Sequence, residues 1–162
     1  ITLTPSTGAP HTIDGNTTAT VSLSTDTFSL LGNGVARIAM GSGNDSLKFA
    51  GMASVTLTNG TGNVTVTADR GANTFVAGKG ALEVTGGAGA DRYVVNAGSG
   101  ALTIDDFSAA SGDILTLGAN LKAAMHVGSD GHGGTAISFG AGTGTIELRN
   151  VASLPAAAIH FS

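Results

Sequence analysis

Gly86-Gly87-Ala88-Gly89-Ala90-Asp91-Arg92-Tyr93-Val94 is one unit of a nine-residue pattern that decides how the chain must fold. Working outward from it, the same pattern is found in AGKGALEVT from Ala77, ADRGANTFV from Ala68, NGTGNVTVT from Asn59 and AGMASVTLT from Ala50. MGSGNDSLK from Met40 and LGNGVARIA from Leu31 extend it upstream, and AGSGALTID from Ala97 extends it downstream. Phe49 is one extra residue and Val95–Asn96 are two; otherwise the register holds. The second position is Gly in seven of eight units (Asp69 is the exception), and so is the fourth (Ala53 is the exception). The eighth reads Ile38, Leu47, Leu57, Val66, Phe75, Val84, Tyr93 and Ile104, all residues that suit a pleated, buried strand.

A Gly-x-Gly turn followed by a short strand cannot bury itself, and becomes stable only when the next coil stacks upon it. The pattern therefore predicts an all-β fold, a parallel β-roll in which two nine-residue units make one turn of a flattened solenoid. A Gly-rich antiparallel β protein is the competing architecture, and it leaves the spacing to coincidence. Val21, Leu23, Phe28 and Leu30 suggest irregular coils from about residue 14, where Asp14–Gly15 is a turn signal. The expected organisation is irregular coils over 1–30, the roll over 31–105 and a capping segment over 106–162.

Composition agrees with this reading. Twenty-six of 162 residues are Gly, too many for a helical bundle, since each interior Gly costs a helix about 1 kcal/mol. Only 11% of residues are charged while 41% are hydrophobic, the opposite of the balance that keeps a chain disordered. A net charge of −4, with seven basic residues scattered singly, gives no electrostatic reason to bind nucleic acid or an anionic membrane. No apolar run is long enough to span a bilayer, so no membrane insertion is expected. There is no Cys, hence neither disulfide nor thiolate metal site. The start at Ile1 suggests a fragment or a processed product.

GGAGADRYV and GSGNDSLK (Gly41–Lys48) resemble the calcium-binding nonapeptides of the RTX, or repeats-in-toxin, exoproteins. The likeness continues through ALTIDDFSAASGDILTL, GHGGTAISFGAGTGTIELRNV and a short apolar C-terminus, and so covers about residues 31–162. It implies a parallel β-roll, export by a type I secretion apparatus with an uncleaved signal in the C-terminal segment, and a location outside a Gram-negative cell or on its surface.

In that family the sixth-position Asp supplies calcium. Ca²⁺ takes six to eight oxygens from carboxylates and turn carbonyls. Here the sixth positions form two columns: Ala36, Val55, Asn73, Asp91 on one side and Asp45, Val64, Leu82, Leu102 on the other. Asn73 over Asp91, helped by Asp69, is the one expected oxygen pair, and with one main charge it should bind calcium weakly; Asp45, alone in the other column, is a further candidate calcium ligand. Asp105, Asp106 and Asp113 form a second candidate calcium site after the last coil; turn-capping carboxylates are the alternative there. Positions six and eight share parity and face inward, so Val or Leu at six fills the space an ion would hold. A largely calcium-independent roll is expected.

Beyond the repeats, ILTLG (Ile114–Gly118), AISFG (Ala136–Gly140) and TIELRNV (Thr145–Val151) alternate as half-buried strands. Asp130–Gly134 reads as a turn between the first two, Leu121–Met125 as one helical turn, and Ala152–Phe161 as a loop and short strand that caps the open sheet edge. His126 and His132 flank Asp130, but a Gly-rich hairpin tip usually presents solvated side chains. No G-x-S-x-G elbow or P-loop is present, and a roll filled with Val and Leu leaves no cleft for a carboxylate pair; no catalysis is expected. The alternative function is a surface or matrix module that binds polysaccharide or self-associates. Outward Thr56, Thr58, Thr61, Thr65 and Thr67, with Arg70, Lys79 and Arg92 nearby, would serve it. The absence of Trp and the inward place of Tyr93 disfavour aromatic sugar platforms. A Thr ladder this short makes ice binding a remote third.

Overall fold

The structure, a computed structural model, describes residues 11–12, 27–32, 34–51, 54–140 and 142–162. The expected turn at Asp14–Gly15 and the inward Val21 and Leu23 lie outside these residues. The strands are, in chain order, β1 (His11–Thr12), β2 (Thr27–Leu31), β3 (Val35–Ala39), β4 (Asp45–Ala50) and β5 (Ser54–Thr58). They continue as β6 (Val64–Thr67), β7 (Thr74–Val76), β8 (Leu82–Thr85), β9 (Arg92–Val95) and β10 (Leu102–Ile104). The last five are β11 (Ile114–Leu117), β12 (His126–Ser129), β13 (Thr135–Ser138), β14 (Ile146–Leu148) and β15 (Ile159–Phe161).

Successive nine-residue units alternate between two sheets, which makes the molecule a parallel β-solenoid. Among the described residues one sheet has nine strands in the order β1-β2-β4-β6-β8-β10-β14-β13-β12; the other has six, β15-β11-β9-β7-β5-β3. Where the pattern is unbroken, partners stand two units apart, as in Thr56 beside Thr74 and Thr65 beside Glu83. Phe49 shifts one crossing by a residue, so Asp45 stands beside Val64. Val95–Asn96 shift another, so Leu82 stands beside Leu102. Neither insertion breaks the ladder. Phe49 itself points inward and is buried.

Strand parity decides the core. All eight eighth-position residues are 2% exposed or less, and so are Ala36, Val55, Val64, Leu82 and Leu102 at position six. Burying each Val or Leu contributes about 1.5–3 kcal/mol, an upper range because unfolded chains already shelter some apolar surface. Phe75 stacks on Tyr93 with ring centroids 5.5 Å apart, and Phe107 follows at 6.0 Å. An aromatic spine thus runs from coil to coil toward the C-terminal end.

The stacking does not stop where the nine-residue pattern ends. β11 pairs in parallel with β9, β14 with β10 and β15 with β11, so the C-terminal segment adds strands to both sheets before β13 and β12 turn antiparallel. The expected strands at 114–118 and 136–140 are present within two residues of their bounds, and the one expected over 145–151 is shorter, ending at Leu148. The turn at Asp130–Gly134 joins β12 to β13, rather than following directly on the strand at Ile114. β12, His-Val-Gly-Ser and exposed throughout, carries no alternation that would announce it. A 3-10 segment at Ala119–Ala124 covers the expected helical turn except for Met125, which is extended, and Lys122 Nζ lies 5.3 Å from the centre of the Phe161 ring. Among the described residues no helix is long and apolar enough to cross a membrane.

Close approach of the turns explains the glycines. Lys79 and Gly80 donate backbone N–H groups to Gly60 O at 2.8 and 3.1 Å, and Gly100 donates to Gly78 O at 2.7 Å. A Cβ at Gly62 would stand 2.7 Å from the carbonyl carbon of Ser42 in the coil before, a distance no side chain adopts. Gly128, by contrast, has open space around it. Gly62→Ala should therefore cost about 1–3 kcal/mol by forcing two coils apart, whereas Gly128→Ala should leave the thermal midpoint nearly unchanged. Equal midpoints for the two variants would contradict the tight turn stacking.

Candidate functional site

The acidic residues gather at the turns that follow strands of the nine-stranded sheet. Asn73 Oδ1 accepts the Val55 N–H at 2.9 Å, Asp91 Oδ1 accepts the Asn73 N–H at 2.8 Å, and Asp113 Oδ1 accepts the Asp91 N–H at 2.8 Å. Each side-chain oxygen thus ties its own coil to the coil before it. Asp113 Oδ2 also accepts the Ser108 N–H at 2.8 Å. A second row runs beside this ladder: Asp69 Oδ2 accepts the Gly51 N–H at 3.2 Å, and Asp106 takes the Gly86 and Gly87 amides at 2.8 and 2.7 Å. Gly87 has φ +92°, a conformation that favours glycine and lets two successive N–H groups face one carboxylate. Hydrogen bonds to an ionised acceptor contribute about 1.5–3 kcal/mol each, more than neutral ones.

The ladder leaves one oxygen over. Asp91 is fully buried and its Oδ2 accepts no hydrogen bond; the Tyr93 hydroxyl, also fully buried, has no partner either. Both atoms lie against the Cα of Gly86, where a Cβ would collide with them. Burial pushes the Asp91 carboxyl up to about 6; the Asn73 amide bond opposes this, and the charges of Asp113 and Asp106 add to it. Asp113 is raised as well, chiefly by burial. Burial, then the neighbouring Asp91 charge, raises the Tyr93 phenol and keeps it neutral.

Not every expected residue joins this centre. Asn73 and Asp91 meet as the register requires, with Asp106 and Asp113 on the following coil. Asp69 serves the Gly51 amide and pairs with Arg70 at 3.5 Å, so its carboxylate is directed elsewhere. Asp45 is buried in the other column, beside Val64. Asp105 accepts from Thr85 Oγ1 at 3.1 Å and from Arg149 Nη1 at 2.7 Å on the outer face of the nine-stranded sheet. Arg149 also reaches Glu83 at 2.9 Å and Glu147 at 3.8 Å. At the hairpin tip, Asp130 Oδ1 accepts the N–H groups of His132 and Gly134 at 2.7 and 2.8 Å, which makes it a turn-forming residue.

Sequence reasoning missed three features. Asn44 and Asn63 form a fifth-position ladder on the opposite edge, Asn44 Oδ1 accepting from Asn63 N and Asn63 Oδ1 from Ala81 N, each at 3.1 Å. Their matching positions in two stacked units were the available signal. The Tyr93 hydroxyl could be placed in the interior but not beside Asp91. The Arg149 cluster had no signal, because its hydrogen-bonded partners, Glu83 and Asp105, come from 66 and 44 residues away.

A calcium ion requires more donors than remain. Asp91 Oδ2 accepts no hydrogen bond and faces the bare Cα of Gly86. Both oxygens of Asp106 and of Asp113, and Asn73 Oδ1, already accept amides. Among the described residues no three His, Asp or Glu groups are arranged to hold a metal ion. The donor chemistry fits a hard cation; the donor number suits only loose binding.

Comparison with protein-family models, with curated proteins and with solved structures finds no match to this chain. Its class therefore rests on its own architecture, a parallel β-solenoid of nine-residue half-coils with carboxylate-capped turns.

Since the folded pKa of Asp91 lies above the usual carboxylate value near 4, the fold holds that proton more tightly than the unfolded chain. Stability should consequently fall as pH rises from about 4 to 6, and stay lower above. Asp91→Asn keeps the Oδ1 acceptor and removes the charge. In EDTA its midpoint should exceed that of the parent at pH 7.5 by the equivalent of about 1 kcal/mol, with a flatter pH dependence; Asp113 retains part of the slope. A parent midpoint that falls between pH 4.5 and 7.5 no more steeply than the variant's would exclude a strained Asp91 carboxylate.

Proposed function

We propose that this chain is a non-catalytic β-roll module of an exported bacterial protein, serving type I secretion and folding outside the cell, with calcium held only weakly near Asp91. The observation that carries the reading is the sixth-position column. Where the resembling nonapeptides place ion-binding carboxylates in turn after turn, this roll has apolar side chains and an amide-capping ladder that ends on one open carboxylate oxygen. The coil is thus retained while most ion sites are replaced by packing and hydrogen bonds.

The mechanism follows from chain order. In this reading the chain leaves through the secretion apparatus C-terminus first, in an unfolded state, guided by a signal within residues 106–162. β11, β14 and β15 emerge early and present strand edges onto which the preceding coils stack in parallel. Burial of one or two apolar side chains per added half-coil then drives the roll to completion, as nearest-neighbour stacking does in solenoids. Calcium, when bound, supplies positive charge beside Asp91. The residues themselves form the coil and cap its turns.

Deleting residues 106–162 should leave the protein inside a host equipped with a type I system, as read by immunoblot of medium and cells. Leu115→Asp, which places a charge in the core but leaves the rest of the segment intact, should still be exported and then fail to fold. Export of the deletion at the parent level would refute the secretion reading. Circular dichroism in EDTA should already show a β spectrum with a cooperative melt, and millimolar calcium should raise the midpoint only slightly; a disordered spectrum in EDTA would refute calcium independence.

A second reading, a surface or matrix module that binds polysaccharide, is favoured by the charge on one outer sheet face.

A further inference from the structure

The nine-stranded sheet ends at β12, and among the described residues no strand pairs with its outer edge. Asp130 N donates to Gly134 O at 3.1 Å where the hairpin closes. Bonded pairs alternate in an antiparallel ladder, so Gly128 and His126 also exchange their bonds with β13. The N–H and C=O groups of Val127 and Ser129 are therefore left on the open side. Sheet edges are ordinarily blunted by lysine, proline or a bulge, and β12, His-Val-Gly-Ser, has none of these. All four residues are exposed, and Val127, at 51%, is the exposed large hydrophobic among the described residues. It stands opposite the buried Ile137, on the inward side of the sheet, yet remains uncovered.

We propose that β12 pairs antiparallel with β12 of a second copy of this chain, joining two nine-stranded sheets edge to edge about a two-fold axis at Gly128. The edge is complementary to itself in three respects. The open backbone groups, two residues apart, set Val127 against the second copy's Ser129 and Ser129 against its Val127, so both bonded pairs close around the axis. Gly128 then meets Gly128 in a non-bonded pair, where Cα atoms stand about 4.5 Å apart. The two Val127 side chains become diagonal neighbours, about 7–8 Å apart on one face, and shelter each other from water. On the other face His126 comes opposite Asp130. The His126 ring makes no hydrogen bond among the described residues, and Asp130 uses only Oδ1 for the amides of His132 and Gly134. Those amides hold its carboxyl below the usual range, so it stays ionised. His126-Val-Gly-Ser-Asp130 thus carries complementary ends placed symmetrically about Gly128, and a strand of another protein would have to repeat that order. So short an edge buries less than the roughly 1,200 Å² of a standard interface, which makes the association reversible and concentration-dependent. It lies in the capping segment and depends neither on calcium nor on the secretion reading.

The test is sedimentation equilibrium of the full chain in EDTA, where the mass should rise from one chain toward two between about 10 and 500 µM. The chain has no Cys, and a Cβ at Gly128 meets nothing within 4 Å, so Gly128→Cys adds a single thiol without disturbing the fold. In a glutathione redox buffer it should form a disulfide-linked dimer at least about tenfold faster than Ser129→Cys, whose two thiols would sit on diagonal positions beyond the about 7 Å limit for bridged Cα atoms. Val127→Pro removes an N–H that β13 does not use and should stay monomeric with the β spectrum of the parent. His126→Asp, which sets like charges opposite each other, should weaken dimerisation about fivefold with an unchanged thermal midpoint. A parent that remains monomeric throughout would overturn the proposal. Undiminished dimers in Val127→Pro would overturn the choice of edge, and equal cross-linking rates in the two cysteine variants would overturn the register. Masses beyond two chains would overturn the closed two-fold pairing.

Discussion

Parallel stacking of coils at one strand spacing, about 4.8 Å, is the constraint on which everything else in this molecule depends. It places every residue of a coil over its counterpart in the next, so any property of a position is repeated down a column. Apolar positions become a continuous core and Thr positions become rows. A position that carries charge in every coil would stack like charges at that same spacing inside a low-dielectric core. The sixth-position column avoids this by mixing Ala36, Val55, Asn73 and Asp91, so only its C-terminal end is charged.

That constraint also accounts for the way the turns are held together. Successive turns approach too closely for side chains at Gly60, Gly62, Gly78 and Gly80, and the backbones are left with amides that need acceptors. Carbonyls of the adjoining coil satisfy some of them. Asn73, Asp91, Asp106 and Asp113 satisfy others with side-chain oxygens. The same chemistry that would bind an ion is therefore directed at the backbone. Of these four side chains, only Asp91 keeps a buried oxygen without a hydrogen bond, its Oδ2, fully buried beside the Tyr93 hydroxyl. It is the place where a proton or a weakly held cation has the most to gain.

The two faces divide the remaining functional possibilities. One face carries a self-neutralising cluster about Arg149, and the other carries Arg37 and Arg92, which have no ion-pair partner among the described residues. The Thr residues read from the sequence as one outward set are in fact split: Thr56 and Thr58 lie on the six-stranded sheet, Thr65 and Thr67 on the nine-stranded sheet. Arg70 and Lys79 sit at turns, so Arg92 alone of the three named cations belongs to a face, joined there by Arg37.

From the sequence by itself came the solenoid, its half-coil length, its two inward positions and the meeting of Asn73 with Asp91. Each is a consequence of period and parity, which are local properties. The insertions at Phe49 and Val95–Asn96 could be counted, and the ladder follows them. Only the tertiary structure decided that stacking continues through β11, β14 and β15, because those strands find partners by edge complementarity and not by a repeated spacing. It also decided that Asp106 and Asp113 grip amides of the preceding coil, that Asp69 and Asp105 turn elsewhere, and that Arg149 gathers carboxylates distant in the chain. These depend on which side chains converge once the coils are stacked, and no periodicity within a single strand encodes that convergence.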